Sequence, residues 1–161
     1  MKAIIDTIER HANTVKSRVS LLNARLAEAI DLGLMAKQAH WNLKGPSFFS
    51  LHKLFDEIRA QLDAHADALA ERVVQLGGDA QGTVQAVVAG TSLDVYPADI
   101  HRESVHIAAY CDRLGMAAER ARASIAETDE AGDAGTADIL TAYSLMLEKS
   151  IWLVNSHAGT R

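Results

Sequence analysis

The stretch His40–Gly78, HWNLKGPSFFSLHKLFDEIRAQLDAHADALAERVVQLGG, holds the end of one helix, a break and a complete second helix. Apolar residues recur every three or four positions at Leu51, Phe55, Ile58, Leu62, Ala66, Leu69, Val73 and Leu76, the spacing of one helical face. The pattern predicts a helix of about 30 residues, begun at a Ser47 cap and stopped at Gly77-Gly78. Before it, Gly45 and Pro46 are expected to supply a left-handed cap and a breaker.

The same spacing continues outward on both sides. Toward the amino terminus, Ile4, Ile8, Ala12, Val15, Val19, Leu22, Leu26 and Ile30 mark a long first helix reaching about Asn42. Beyond Gly78 comes a long connection, Asp79 to Tyr96, with a short apolar patch TVQAVV that Thr83 can cap as a brief helix. A connection of that length can cross a whole bundle and let the next long helix run parallel to the one before it. That helix is expected to begin at Pro97 and to turn Ile100, Ser104, Ile107, Cys111, Leu114, Ala118 and Ile125 inward. An acidic turn, ETDEAGDAGTAD, separates it from a last helix carrying Ile139, Leu140, Tyr143, Met146, Leu147, Ile151 and Val154. The expectation is an all-α four-helix bundle with a short extra helix in the long crossover, one domain over residues 1–161.

Bulk properties narrow the function. The chain has 161 residues, 48 % of them hydrophobic, enough for a packed core. Its formal net charge of −5 argues against a general nucleic-acid-binding surface. Cys111 stands alone, which excludes an intramolecular disulfide and suits a reducing cytoplasm. The first residues lack the apolar run of a signal peptide, and no segment is long and apolar enough for a membrane span, so a soluble cytoplasmic protein is expected.

On the second helix, His52, Asp56, Asp63, Asp67 and Glu71 lie in an arc about 130° from the apolar stripe. A charged stripe is most often simply solvated. Its spacing nevertheless has a symmetry: the midpoint of His52 and Glu71 and the midpoint of Asp56 and Asp67 both fall between Gln61 and Leu62. On a helix rising 1.5 Å per residue, His52 and Asp67 are about 22 Å apart and cannot share an ion within one chain. Two copies crossing antiparallel at that midpoint set His52 and Asp56 of one chain opposite Asp67 and Glu71 of the other, giving two equivalent sites. His40, beside the turn, can join the His52/Asp56 half. Imidazole with carboxylate suits Fe(II), Mn(II) or Zn(II), the absence of thiolate argues against a closed structural zinc site, and a carboxylate-rich set favours Fe(III) over Fe(II) by charge.

The runs KQAHWN (37–42), LHKLFDE (51–57), AERVVQLGG (70–78), YPADIH (96–101) and GTADILT (135–141) resemble the Dps family, miniferritins named for DNA protection during starvation. The resemblance covers nearly the whole chain. It implies a ferritin-like subunit, a hollow homo-dodecamer built from two-fold dimers, and ferroxidase sites that hold two irons each and are shared between chains. Carried over by motif, His40, His52 and Asp56 come from one subunit, and Asp67 and Glu71 from its partner. The implied reaction is oxidation of Fe(II), preferably by hydrogen peroxide, with ferric mineral stored in the cavity and DNA thereby protected.

Other residues have plainer alternatives. Trp41 can take up a stray oxidising equivalent or simply pack, and Lys37, one turn before His40, can pair with Asp56 or stay solvated. Glu103-x-x-His106 imitates a ligand motif of larger di-iron proteins, but a single copy makes a surface or interface histidine the default. His65 falls at the edge of the carboxylate arc and is left out, and His11, His101 and His157 have no partner pattern. Between Arg122 and Lys149 the chain carries Glu127, Asp129, Glu130, Asp133, Asp138 and Glu148 with no basic residue; the resemblance implies a pore there that concentrates Fe(II).

DNA binding is the property least supported by the residues. Only Lys2 and Arg10 are basic among the first 15 residues, and only Arg161 follows Trp152, so phosphate binding by counterion release is expected to be weak. A nucleoid-associated DNA-binding structural protein with secondary iron chemistry is the alternative function.

Overall fold

The computed structural model describes residues 2–158, with side chains described from residue 15 onward. The expected inner positions Ile4, Ile8 and Ala12 and the terminal charges Lys2, Arg10 and Arg161 lie outside the described side chains. Five helices follow in order: α1 Lys2–Asn42, α2 Phe48–Gln75, α3 Val84–Gly90, α4 Glu103–Glu130 and α5 Ala134–Asn155.

Four long helices form the expected all-α bundle. α1 packs along α2, and α4 packs along α5. Across the hairpins, Arg25 reaches Ser124 and the Tyr110 hydroxyl donates to the Leu32 carbonyl, so α1 and α4 run antiparallel. Arg72 meets Thr136 and His65 meets Tyr143, so α2 and α5 are antiparallel too. α2 and α4 are therefore parallel, and the crossover carrying α3 spans the bundle as its length demanded. The core contains Leu22, Leu32, Leu51, Phe55, Ile58, Leu62, Leu69, Tyr110, Leu114, Leu140, Tyr143 and Leu147, with Phe55 edge-on to Tyr110 at 5.2 Å. No helix among the described residues is long and apolar enough to cross a membrane.

Both ends of the second helix follow their sequence signals differently. At the C-terminus Gly77 adopts φ 83°, and the Gly77 and Gly78 amides donate back to Val74 and Val73, a Schellman closure. At the other end Gly45 is not left-handed; a Cβ there would overlap the Glu103 carboxylate, so a larger residue would push that side chain aside. Ser47 is the N-cap residue of α2 but makes no side-chain cap bond; its amide donates to Glu103 Oε2 at 2.8 Å instead.

α4 begins at Glu103 rather than at Pro97. The preceding strap cannot be helical, because Asp99 sits at φ 57° and the backbone around residues 101–103 pairs with Lys44. Side chains of α4 hold the strap down. His106 Nε2 donates to the Ile100 carbonyl at 3.0 Å, the Tyr96 hydroxyl donates to His106 Nδ1 at 2.9 Å, and Arg113 donates to the Val95 carbonyl at 2.8 Å. Ile100 consequently lies before the helix, and Ser104 is exposed.

Charges are buried at two places. Glu28 is fully buried, gripped by Arg25 at 2.8 Å and by the Ser92 hydroxyl at 2.7 Å, with Arg120 Nε at 3.7 Å. Ser92 thereby ties the crossover to the bundle. Asp133, in the acidic turn, caps α5 through the Thr136 amide and binds Arg72 at 2.7 Å. Cys111 is half-buried, and burial pushes its thiol up to about 11.

Burial alone would raise the Asp133 carboxyl, but hydrogen bonds from Thr136 and Arg72 outweigh it and hold the group below its usual range. Asp133→Ala is expected to cost about 3 kcal/mol, as for one partner of a buried ion pair, and to lower the thermal midpoint. A depressed carboxylate stabilises the fold above the unfolded value of about 4 and loses that contribution as the pH falls through its folded value. The gap in thermal midpoint between wild type and Asp133→Ala should therefore close in acid.

Candidate metal centre

The turn 43–47 brings the end of α1 beside the start of α2, and this places His40 and His52 face to face. Their rings stack with centroids 3.6 Å apart. His40 Nδ1 lies 2.8 Å from the His52 carbonyl, and His52 Nδ1 lies 2.9 Å from the His40 carbonyl. A carbonyl oxygen can only accept, so each Nδ1 carries the proton and donates. Each Nε2 is left with its lone pair. The two residues thus fix one another in the tautomer that a metal requires, the task usually given to a second-sphere carboxylate or carbonyl.

Asp56, one turn beyond His52, completes this cluster. Its Oδ1 is 2.6 Å from Lys37 Nζ and 3.3 Å from His40 Nδ1. The hydrogen bond and charge of Lys37 hold the Asp56 carboxyl below its ordinary value. Lys37 also sits 5.5 Å from the centre of the Trp41 ring, so it bridges the cluster to an aromatic that is 67 % exposed in the single chain.

His40, His52 and Asp56 are therefore brought together, and Asp67 and Glu71 are not. α2 is unbroken across its 28 residues, which leaves Asp67 about 22 Å along the axis from His52. Both distal carboxylates are exposed, on the face of α2 turned away from Leu62 and Leu69. Among the described residues, no three His, Cys, Asp or Glu side chains of one chain are grouped so as to hold a metal ion.

The remaining candidates sort themselves by contact. His106 is buried within the single chain, with both ring nitrogens engaged, so the expectation of a surface or interface histidine is corrected and its hydrogen bonds leave no lone pair for a metal. Glu103 points at the turn 43–47. His65 packs its ring 5.7 Å from Tyr143, and burial lowers its pKa. In the acidic run, Asp133 is consumed by the α5 cap and Glu148 pairs with Arg122 at 2.7 Å, while Glu127, which accepts from the Ser17 hydroxyl at 3.4 Å, Asp129, Glu130 and Asp138 are exposed. The role of Glu103 left no signal in the sequence beyond a Glu-x-x-His spacing that imitates a ligand motif.

Comparison with known proteins places these features. Residues 19–160 match the ferritin-like domain family. The chain is 50 % identical over 146 residues to the DNA protection during starvation protein of Agrobacterium fabrum, covering 91 % of this chain and 90 % of that one. It is 32 % identical to the protein of the same name from Brevibacillus brevis, over 84 % of this chain and 91 % of that one. Among solved structures, DpsA14 from Streptomyces coelicolor superposes with a TM-score of 0.86 at 33 % identity, covering 91 % of this chain and 87 % of that one. The tetragonal form of Mycobacterium smegmatis Dps gives 0.86 at 30 % identity, over 90 % and 88 %. With its ferritin-like bundle and its paired histidines at the α1–α2 turn, the chain belongs to the Dps family.

Proposed function

We propose that this protein is a ferroxidase and iron store whose catalytic centres lie between two-fold-related copies of the chain. His40, His52 and Asp56 supply one half of each centre, and Asp67 and Glu71 of a second copy supply the other half. The observation that carries this reading is the mutual locking of His40 and His52 through their Nδ1 atoms, with the Asp56 carboxylate, held ionised by Lys37, 3.3 Å from His40 Nδ1. Two imidazoles and a carboxylate with open positions form a set suited to Fe(II). The coincident midpoints on α2 supply the missing carboxylates when two chains cross antiparallel.

In the proposed reaction, two ferrous ions bound in one centre each give one electron. The pair together reduces one hydrogen peroxide to the level of water, so no hydroxyl radical is released. The ferric product passes into the cavity of a closed homo-oligomer, a dodecamer in this proposal. Lys37 keeps Asp56 charged before iron arrives and is displaced from it when iron binds. Exposed Glu127, Asp129, Glu130 and Asp138 are acidic side chains available to draw Fe(II) inward. The relatives' name, DNA protection during starvation, fits removal of iron and oxidant together. Direct DNA binding is proposed to be weak, since the chain carries a formal charge of −5.

Anaerobic Fe(II) loading followed by peroxide tests the site through ferric absorbance. His52→Ala and Glu71→Ala are each expected to slow oxidation by more than about tenfold; wild-type rates in both would remove these residues from the reaction. Mixing the two variants under subunit exchange should restore activity, because each mixed dimer contains one doubly altered centre and one intact centre. Exchange without recovery would point to centres contained in a single chain. In gel-shift experiments at low magnesium, DNA complexes are expected to dissolve at physiological salt. Tight, salt-resistant complexes would favour the nucleoid-associated alternative.

A further inference from the structure

Both side chains of the Glu103-x-x-His106 motif are committed to contacts within the chain: Glu103 reaches the turn behind the candidate metal centre, and His106 holds the strap that leads into α4. We propose that Glu103 is a positioning residue for that centre, its carboxylate holding the turn 43–47 so that His40 and His52 keep their mutual backbone contacts. The functional meaning of this role rests on the ferroxidase proposal above.

Within itself the turn makes one backbone bond, from the Phe48 amide to the Gly45 carbonyl at 3.1 Å, and buries Leu43. Ser47 caps nothing with its hydroxyl, and the connection from Asn42 to Phe48 forms no regular structure beyond one bridge. Its hold comes from the start of α4. The Lys44 amide donates to the His101 carbonyl at 2.6 Å, the Glu103 amide donates to the Lys44 carbonyl at 3.1 Å, and the Ser47 amide donates to Glu103 Oε2 at 2.8 Å. The last bond alone is made by a side chain, and it acts on the N-cap residue of the helix that carries His52. A carboxylate at a helix N-terminus is also favoured by the helix dipole.

Two further features support the assignment. Gly45 is packed so closely on the carboxylate that any side chain there would displace it. His106, one turn along α4, is buried and bonded on both sides to the strap leading into His101. The first turn of α4 is thus a fixed platform, and Glu103 is the arm that reaches from it to α2. Relaxation of the turn by an ångström would break carbonyl contacts of 2.8 and 2.9 Å and free both rings to change tautomer.

Three variants in the assembled, metal-free protein test this: Glu103→Ala, Glu103→Gln and Gly45→Ala. Co(II) serves as the probe, read by its visible absorption, with circular dichroism confirming helix content. Glu103→Ala and Gly45→Ala should each weaken Co(II) binding by about tenfold or more, the usual cost of losing an outer-sphere partner. Glu103→Gln keeps an acceptor oxygen and should stay within about twofold of wild type. Wild-type affinity in Glu103→Ala would overturn the proposal. So would equal losses in Glu103→Ala and Glu103→Gln, because charge rather than the hydrogen bond would then carry the effect. Metal-free crystal structures of the variants give a readout independent of iron chemistry: the His40–His52 stack should persist in Glu103→Gln and open in Glu103→Ala. An intact stack in Glu103→Ala overturns the positioning role. If His52→Ala binds Co(II) as wild type does, the ligand assignment fails instead, and the crystal comparison still decides the clamp.

Discussion

A continuous helix cannot fold back on itself, and α2 is continuous from Phe48 to Gln75. Ligand-type residues at its two ends are held apart by the backbone hydrogen bonds between them, and no side-chain rotation closes about 22 Å. The bundle interior offers no substitute, because its buried carboxylate, Glu28, is committed to Arg25 and Ser92 with Arg120 alongside. An uncompensated charge there would be costly, and the two guanidinium groups supply the compensation. The proposed iron chemistry is therefore assigned to the outer face of α2, where a second copy would complete the coordination sphere.

The ends of α2 are braced from the same hairpin. At its start, Glu103 of α4 accepts from Ser47; near its end, Arg72 binds Asp133 at the cap of α5. Arg72 is the neighbour of Glu71 in sequence, so the proposed distal half of the site is backed by this second ion pair much as the histidine half is backed by the first contact. α4 and α5 thus hold α2 at both ends while taking no part in ligation.

Helix periodicity was readable in the sequence because burial follows it closely: Leu51, Phe55, Ile58, Leu62, Leu69 and Val73 are the buried positions of α2. The long crossover also gave the parallel course of α2 and α4. The ligand candidates stood out through their symmetric spacing, and their grouping into a near half and a far half follows from helix geometry. What was not readable depends on contacts between distant residues. Glu103 and Ser47 are 56 positions apart, and Arg72 and Asp133 are 61 apart, so neither pairing leaves a local pattern. Pro97 gave a valid first-turn signal, but the positive φ of Asp99 and the bridge at Arg102 delayed the helix to Glu103. Asp133 looked like one acid among several in a soluble turn, and only the arginines around it distinguish it.

The unbroken α2 also sets which changes in this chain can be absorbed and which cannot. A substitution on its outer face alters one side chain and leaves the others in register. Inserting or deleting one residue between Asp56 and Asp67 would turn the two halves by about 100° relative to each other and change their separation by about 1.5 Å. Because each chain would lend its near half to one centre and its far half to another, a single such event would misalign both centres of a dimer together. The helix acts as a length standard, and its residue count is as much a part of the chemistry as the identity of its ligands.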